Sequence, residues 1–159
     1  DFDRLKSWIK SEKELIQFAG PIFTHPLRDI ELKRYIESSK RKVCKIILND
    51  TNEVVGHCEF NYENEIPRIS RVLIGEIRHR GKGIGTEVIF KMAKEFFVNP
   101  EVSAIDLNVF VWNDSAVRCY EKIGFKINRT FTLDRRVNEE LWENHNMILS
   151  RCDFEVNQR

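Results

Sequence analysis

The run Arg80-Gly81-Lys82-Gly83-Ile84-Gly85 constrains this chain more than any other stretch. Before it, Arg68 to Gly75 carries Ile69, Val72, Leu73 and Ile74 and reads as a strand. After it, Val88, Ile89, Met92, Ala93, Phe96 and Phe97 recur at three- and four-residue spacing, which predicts an amphipathic helix. Alternate glycines let successive backbone N–H groups converge with no Cβ in the way. The start of the helix adds unpaired amides and the positive end of its dipole. Strand, glycine turn and helix in that order can cradle a phosphate, although a glycine-rich turn before a surface helix is the plainer alternative. Two better-known phosphate loops fit poorly, because Thr86-Glu87-Val88 follows: there is neither a G-x-G-x-x-G nor a Gly-Lys-Ser/Thr closure. The repeated βαβ units of a nucleotide fold are also missing downstream.

The rest of the chain predicts one domain, 1–150, and a tail, 151–159, that is disordered or weakly packed. With 26 basic and 25 acidic residues, general binding to nucleic acid or a membrane surface is disfavoured, and any anion site has to be local. Cys44, Cys58, Cys119 and Cys152 have no C-x-x-C spacing, which points away from zinc and towards free thiols in a reducing cytoplasm. No apolar run has the length of a membrane span, and Asp1-Phe2-Asp3-Arg4 lacks a signal-peptide profile. A soluble, cytoplasmic protein without a metal is expected.

In chain order, Leu5, Trp8, Ile9, Leu15, Ile16 and Phe18 have helical spacing, and Ser11-x-x-Glu14 is a capping box that restarts the helix. Gly20-Pro21 ends it. A second helix follows Pro26 and Asp29, with Ile30, Leu32, Tyr35 and Ile36 on its apolar side. Val43–Leu48 and Val54–Tyr62 predict a hairpin about Asn49-Asp50-Thr51-Asn52. Beyond the glycine loop and its helix, Val102–Trp112 alternates as a strand. A strand–loop–helix–strand connection implies that it lies parallel to the strand before the loop. A short helix opens at Asn113-Asp114 and stops at Gly124. Two strands, Phe125–Leu133 and Leu141–Ser150, finish the domain, with Arg135-Arg136 as a solvated basic turn.

A second motif joins the first: Asn113-x-x-Ala116-x-x-x-Tyr120-x-x-x-Gly124-Phe125. Together with the arginine-led loop, it resembles the GCN5-related N-acetyltransferases, whose pyrophosphate loop reads R/Q-x-x-G-x-G/A. The helical opening with Trp8 and Phe18-Ala19-Gly20-Pro21 is most similar to the branch that includes ribosomal-protein N-terminal acetyltransferases. The resemblance implies an α/β (α+β) fold with a mixed, mostly antiparallel central sheet flanked by helices. Its parallel strands splay at the acetyl-CoA site, and a further strand is expected before residue 1.

The same resemblance implies an N-acetyltransferase that passes an acetyl group from acetyl-CoA to an amine acceptor by direct attack in a ternary complex, as a monomer or homodimer. By matching position, the backbone of Val72, Leu73 and Ile74 faces the pantetheine arm, held open by a β-bulge. The amides of Arg80, Gly81, Lys82, Gly83, Ile84, Gly85 and Thr86 hold the pyrophosphate. Asn113 bonds the cofactor arm, or else simply caps its helix. Tyr120 is the general acid: a thiolate has an unperturbed pKa about one to two units below a phenol, so a hydrogen-bonded tyrosine can protonate it. Relatives place a glutamate base on the strand before the loop, where this chain has Ser70. Glu59 on the neighbouring strand is then the candidate base, directly or through a water. That departure keeps a non-catalytic acyl-CoA-binding or sensing domain open as the alternative. A nucleotide-binding module is the remaining one.

Overall fold

In the computed structural model, which describes residues 1–137 and 139–157, Ser11 does what the capping-box spacing predicts. Helix α1 spans Phe2–Trp8 and α2 spans Glu12–Ala19. Ser11 Oγ accepts the Glu14 N–H at 3.2 Å as the box predicts, while the Glu14 carboxylate reaches one residue past the cap and accepts the Lys10 N–H at 2.6 Å. At Gly20 the chain turns into the left-handed region, with φ 64°, and α2 ends there. Helix α3, Asp29–Ile36, buries Leu32 and Tyr35, but Ile30 and Ile36 stand about half exposed, so its apolar stripe is narrower than the sequence predicts.

Two compact units are present. The first comprises Asp1–Glu63 and Ser70–Gly85. It holds α1 to α3 and the antiparallel strands β1 (Arg41–Ile47) and β2 (Val54–Asn61), whose register sets Cys44 opposite Cys58. Most of β3 (Arg68–Ile74) also belongs to it. Its core is Leu5, Ile9, Leu15, Phe18, Phe23, Leu27, Leu32 and Tyr35, with Trp8, Val43 and Leu73 packed against it. At about 1.5–3 kcal/mol for each large apolar side chain buried, this core drives the unit together.

The second unit comprises Asn64–Ile69 and the chain from Thr86 on. Helix α4, Ile84–Phe96, buries Ile89, Met92, Ala93 and Phe96, the predicted stripe. Strand β4 (Ala104–Phe110), helix α5 (Asp114–Glu121) and strand β5 (Lys126–Thr132) follow. Strands β6 (Arg135–Val137) and β7 (Glu140–Trp142) form a separate two-stranded ribbon, so Arg135 and Arg136 are paired strand residues and not a turn. Strand β8 is Asn144–Ser150. The six-stranded sheet has the order β1-β2-β3-β4-β8-β5. It is mostly antiparallel. The exception is the expected one: β3 and β4 are parallel, with Arg68 opposite Asp106 and the Asp106 N–H donating to Pro67 O at 3.0 Å.

The tail departs from expectation. Arg151–Val156 is a helix, α6, capped by Ser150 Oγ, which accepts the Asp153 N–H at 3.0 Å. Phe154 is buried against Phe90 and Phe97, with ring centroids 5.4 and 5.2 Å away. The Arg151 guanidinium donates to the carbonyls of Phe97, Asn99 and Val102 at 2.8, 2.6 and 2.8 Å, where the chain leaves α4. Six residues with two large apolar side chains, Phe154 and Val156, are too short a period to read. Residues 158–159 of that tail lie outside the described residues. Arg151→Ala is expected to lower unfolding free energy by about 2 kcal/mol, the usual worth of hydrogen bonds from a charged donor, as read by urea denaturation. Among the described residues, no helix is long and apolar enough to cross a membrane.

Candidate functional site

In the first unit the glycine loop is built from alternating left-handed residues. Gly81 has φ 73° and Gly83 has φ 83°. Such alternation turns neighbouring N–H groups towards one concavity, an anion nest that runs into the first turn of α4. The concavity is open, for a Cβ added at Gly81, Gly83 or Gly85 would meet no atom within 4 Å. Conformation, and not crowding, therefore demands glycine at Gly81 and Gly83.

Arg80 has a different part from its neighbours. Its Nε donates to Ile74 O at 2.8 Å and its Nη2 to Gly75 O at 3.4 Å, while its N–H donates to Ile77 O at 3.0 Å. The Arg80 amide thus bonds within the turn itself. Its guanidinium staples the loop to the end of β3. The other side of this junction is pinned by Trp8. A Cβ on Gly75 would lie 1.9 Å from the Trp8 ring, and Trp8 Nε1 donates to Glu76 Oε1 at 3.1 Å.

The strand before the loop is irregular at a residue that no local sequence pattern singles out. Arg71 has φ 50°, a left-handed residue inside β3, at about 1–2 kcal/mol of backbone strain. Val72, Leu73 and Ile74 follow it, partly buried. A Cβ on Gly56 would fall 2.2 Å from Leu73 O, so β2 approaches this segment closely. Glu59 on β2 is fully buried, and its two oxygens each accept from Arg71 Nη1 at 2.7 Å. The Tyr35 hydroxyl donates to Glu59 Oε2. His57 Nδ1 lies 2.9 Å from Arg71 O. Burial holds the imidazole of His57 below its ordinary pKa, and burial followed by the Glu59 charge pushes the Tyr35 phenol up. Sequence reasoning named Glu59, with His57 as a further available base, but missed Arg71 and Tyr35. They are joined by side-chain contacts 12 to 24 residues apart, which no local pattern announces.

The second unit carries the other motif. Asn113 caps α5: its Oδ1 accepts the Ala116 N–H at 3.4 Å and the Ser115 hydroxyl at 3.2 Å. With that oxygen occupied, its side-chain NH2 is the group able to bond a carbonyl. Tyr120 lies on the last turn of α5, partly buried beside Phe125 at 6.1 Å between ring centroids. Burial, followed by the neighbouring Cys119, pushes its phenol above the ordinary value, so it stays protonated through the neutral range. Cys119 Sγ contacts Thr86 Oγ1 at 3.2 Å, which joins the first turn of α4 to the helix that carries Tyr120. Burial also raises the Cys119 thiol, so it is a poor nucleophile. Gly124 ends the motif at φ 109°, where a Cβ would strike Asn157 Nδ2 at 2.2 Å. Trp112, about half exposed, stacks on Phe110 at 5.4 Å and meets Trp142 edge-on at 5.6 Å.

The chain is similar to several known proteins. The chain is 37% identical over 60 residues to aminoglycoside N(6')-acetyltransferase type 1 of Klebsiella pneumoniae, 38% of this chain and 30% of that protein. It is 34% identical over 88 residues to mycothiol acetyltransferase of Corynebacterium efficiens, 55% of this chain and 29% of that protein. The matches thus span about a third of the length of these curated relatives. Among solved structures, aminoglycoside acetyltransferase AAC(6')-Ib in complex with coenzyme A superposes with TM-score 0.72 at 21% identity, covering 100% of this chain and 94% of that one. Spermidine N-acetyltransferase from Vibrio cholerae, in complex with CoA and spermine, gives TM-score 0.75 at 18% identity over 96% and 91% of the two chains. At these identities the two structures establish the fold. The model of the acetyltransferase (GNAT) family matches residues 3–125, most of the chain and both motifs, and the chain therefore belongs to the GNAT acetyltransferase family.

Proposed function

We propose that this chain is an acetyl-CoA-dependent N-acetyltransferase acting on a primary amine of a small molecule or peptide. The observation that carries the reading is the open nest at Gly81 and Gly83 ahead of α4, a cradle of the right chemistry for the diphosphate of coenzyme A. Acetyl-CoA would supply an acyl thioester. The amides from Gly81 to Thr86 hold its diphosphate, and the backbone of Val72, Leu73 and Ile74 bonds the amides of its arm, with the Asn113 NH2 as a further donor.

The acceptor amine forms its N–C bond at the thioester carbonyl as the C–S bond breaks, and the amine gives up one proton to solvent water. Tyr120 donates its phenolic proton to the departing sulfur and regains one from solvent. An ordinary thiol has a pKa of about 8.5 and an ordinary phenol about 10, and an apolar environment that raises one raises the other, so the transfer stays close to balanced. The four free thiols fit a cytoplasmic enzyme, working as a monomer or homodimer.

Calorimetric titration with CoA, followed by mass spectrometry of a mixed amine and peptide panel incubated with acetyl-CoA, tests the reading. Saturable binding and an acetylated product are expected. Absence of CoA binding would end it. Binding without turnover on any amine would favour a non-catalytic acyl-CoA-binding domain, a reading supported by Ser70 at the relatives' glutamate position and by the complete burial of Glu59.

A further inference from the structure

Resting on that reading, we infer that Glu59 is a positioning residue and not the base: with His57 and Tyr35 it clamps Arg71 in the left-handed conformation that presents the Val72–Ile74 backbone to the cofactor arm. His57 and Glu59 are two residues apart on β2 and so share one face of the strand. From that face they grip Arg71 at both ends, the carboxylate on its guanidinium and the imidazole on its carbonyl.

The carbonyl fixes the imidazole tautomer. Arg71 O can only accept, so Nδ1 carries the hydrogen, and a ring held neutral by burial leaves Nε2 with its lone pair 3.5 Å from the Tyr35 oxygen. The Tyr35 hydroxyl hydrogen goes to Glu59. Its ring lies under the Arg71 guanidinium, 5.4 Å from centroid to Cζ, and is itself wedged edge-on against Phe23 at 5.3 Å. Phe18 packs edge-on against His57 at the same separation, 5.3 Å. The clamp is therefore anchored in the core of the first unit. A left-handed non-glycine residue persists only where its surroundings over-determine it, and these three side chains do so.

The same bonds argue against general-base work. Glu59 is fully buried, with Arg71 on both oxygens and Tyr35 on one. An ammonium or a relay water would have to displace Arg71 and strand a guanidinium whose Nε already lacks a partner among the described residues.

The test compares Glu59→Gln with the native chain in three readouts: CoA dissociation constant, KM for acetyl-CoA, and kcat against pH. Positioning predicts that the dissociation constant and KM rise together by about tenfold while the kcat profile keeps its apparent pKa. A kcat loss of about a hundredfold or more, with the acidic limb of the profile gone and CoA binding unchanged, would establish the base and overturn the inference. His57 supplies an independent pair, should the Gln variant not fold. His57→Leu is expected to weaken CoA binding about fivefold, and His57→Asn, whose Nδ2 can donate to the Arg71 carbonyl, to restore it within about twofold. No loss in either variant, or equal loss in both, overturns the clamp. If the native chain binds no CoA, the proposed function falls first, and the inference falls with it.

Discussion

Tyr120→Phe is expected to lower kcat by about 100- to 1,000-fold, the lower part of the range a well-placed general acid contributes. That is about 3–4 kcal/mol on the barrier. The change removes one hydroxyl and keeps the ring against Phe125 and the helix hydrogen bonds, so fold and cofactor binding should survive. The CoA dissociation constant is expected to stay within about twofold of the native one, because uniform binding is untouched. Single-turnover kinetics checks this, since a slow product-release step would mask the loss. Wild-type turnover by the Phe variant under those conditions would remove the acid role. The pH dependence agrees in sign: burial raises the phenol above its ordinary value, so the donor stays protonated across the neutral range and gives the native profile no falling limb below pH of about 10.

Arg68→Ala should cost about 3–5 kcal/mol of stability, because it leaves the buried carboxylate of Asp106 without its counter-ion. Arg68 Nε and Nη2 donate to the two Asp106 oxygens at 2.7 and 2.6 Å, and Asn146 Nδ2 adds a bond to Oδ2 at 2.9 Å. Asn128 in turn donates to Asn146 Oδ1 at 3.0 Å. The network lies within the second unit, at the point where β3 and β4 pair in parallel. Urea denaturation reads the loss. Replacing both partners together, as Arg68→Met with Asp106→Leu, is expected to recover most of it, since the larger penalty is the stranded charge and not the missing attraction. Loss in the double variant equal to that in the single would show that the pair itself, and not the stranded carboxylate, carries the stability.

The donor half of the proposed reaction was legible because it is written in short-range code. Alternate glycines, a capping box at Ser11-x-x-Glu14, a helix stripe from Ile89 to Phe96 and the Asn113 cap each depend on residues within one or two turns of each other. The structure keeps all four. The elements that went unread depend on distant partners. Residues 151–156 became a helix because Phe90, Phe97 and the carbonyls after α4 are there to receive it. Residues 135–137 and 140–142 paired as a ribbon, with a register that opposes Arg135 to Trp142.

The glycine loop shows where the division falls. Sequence alone determined that Arg80 to Gly85 would be a turn feeding a helix, since glycine's freedom at positive φ and helix periodicity are properties of the local chain. Only the tertiary structure decided that Arg80 staples β3. Likewise, it alone decided that Glu59 is sealed under Arg71, and that a left-handed arginine occupies the strand ahead of the loop. Those outcomes depend on burial and on hydrogen bonds between strands, and both arise only after residues far apart in sequence have been packed together.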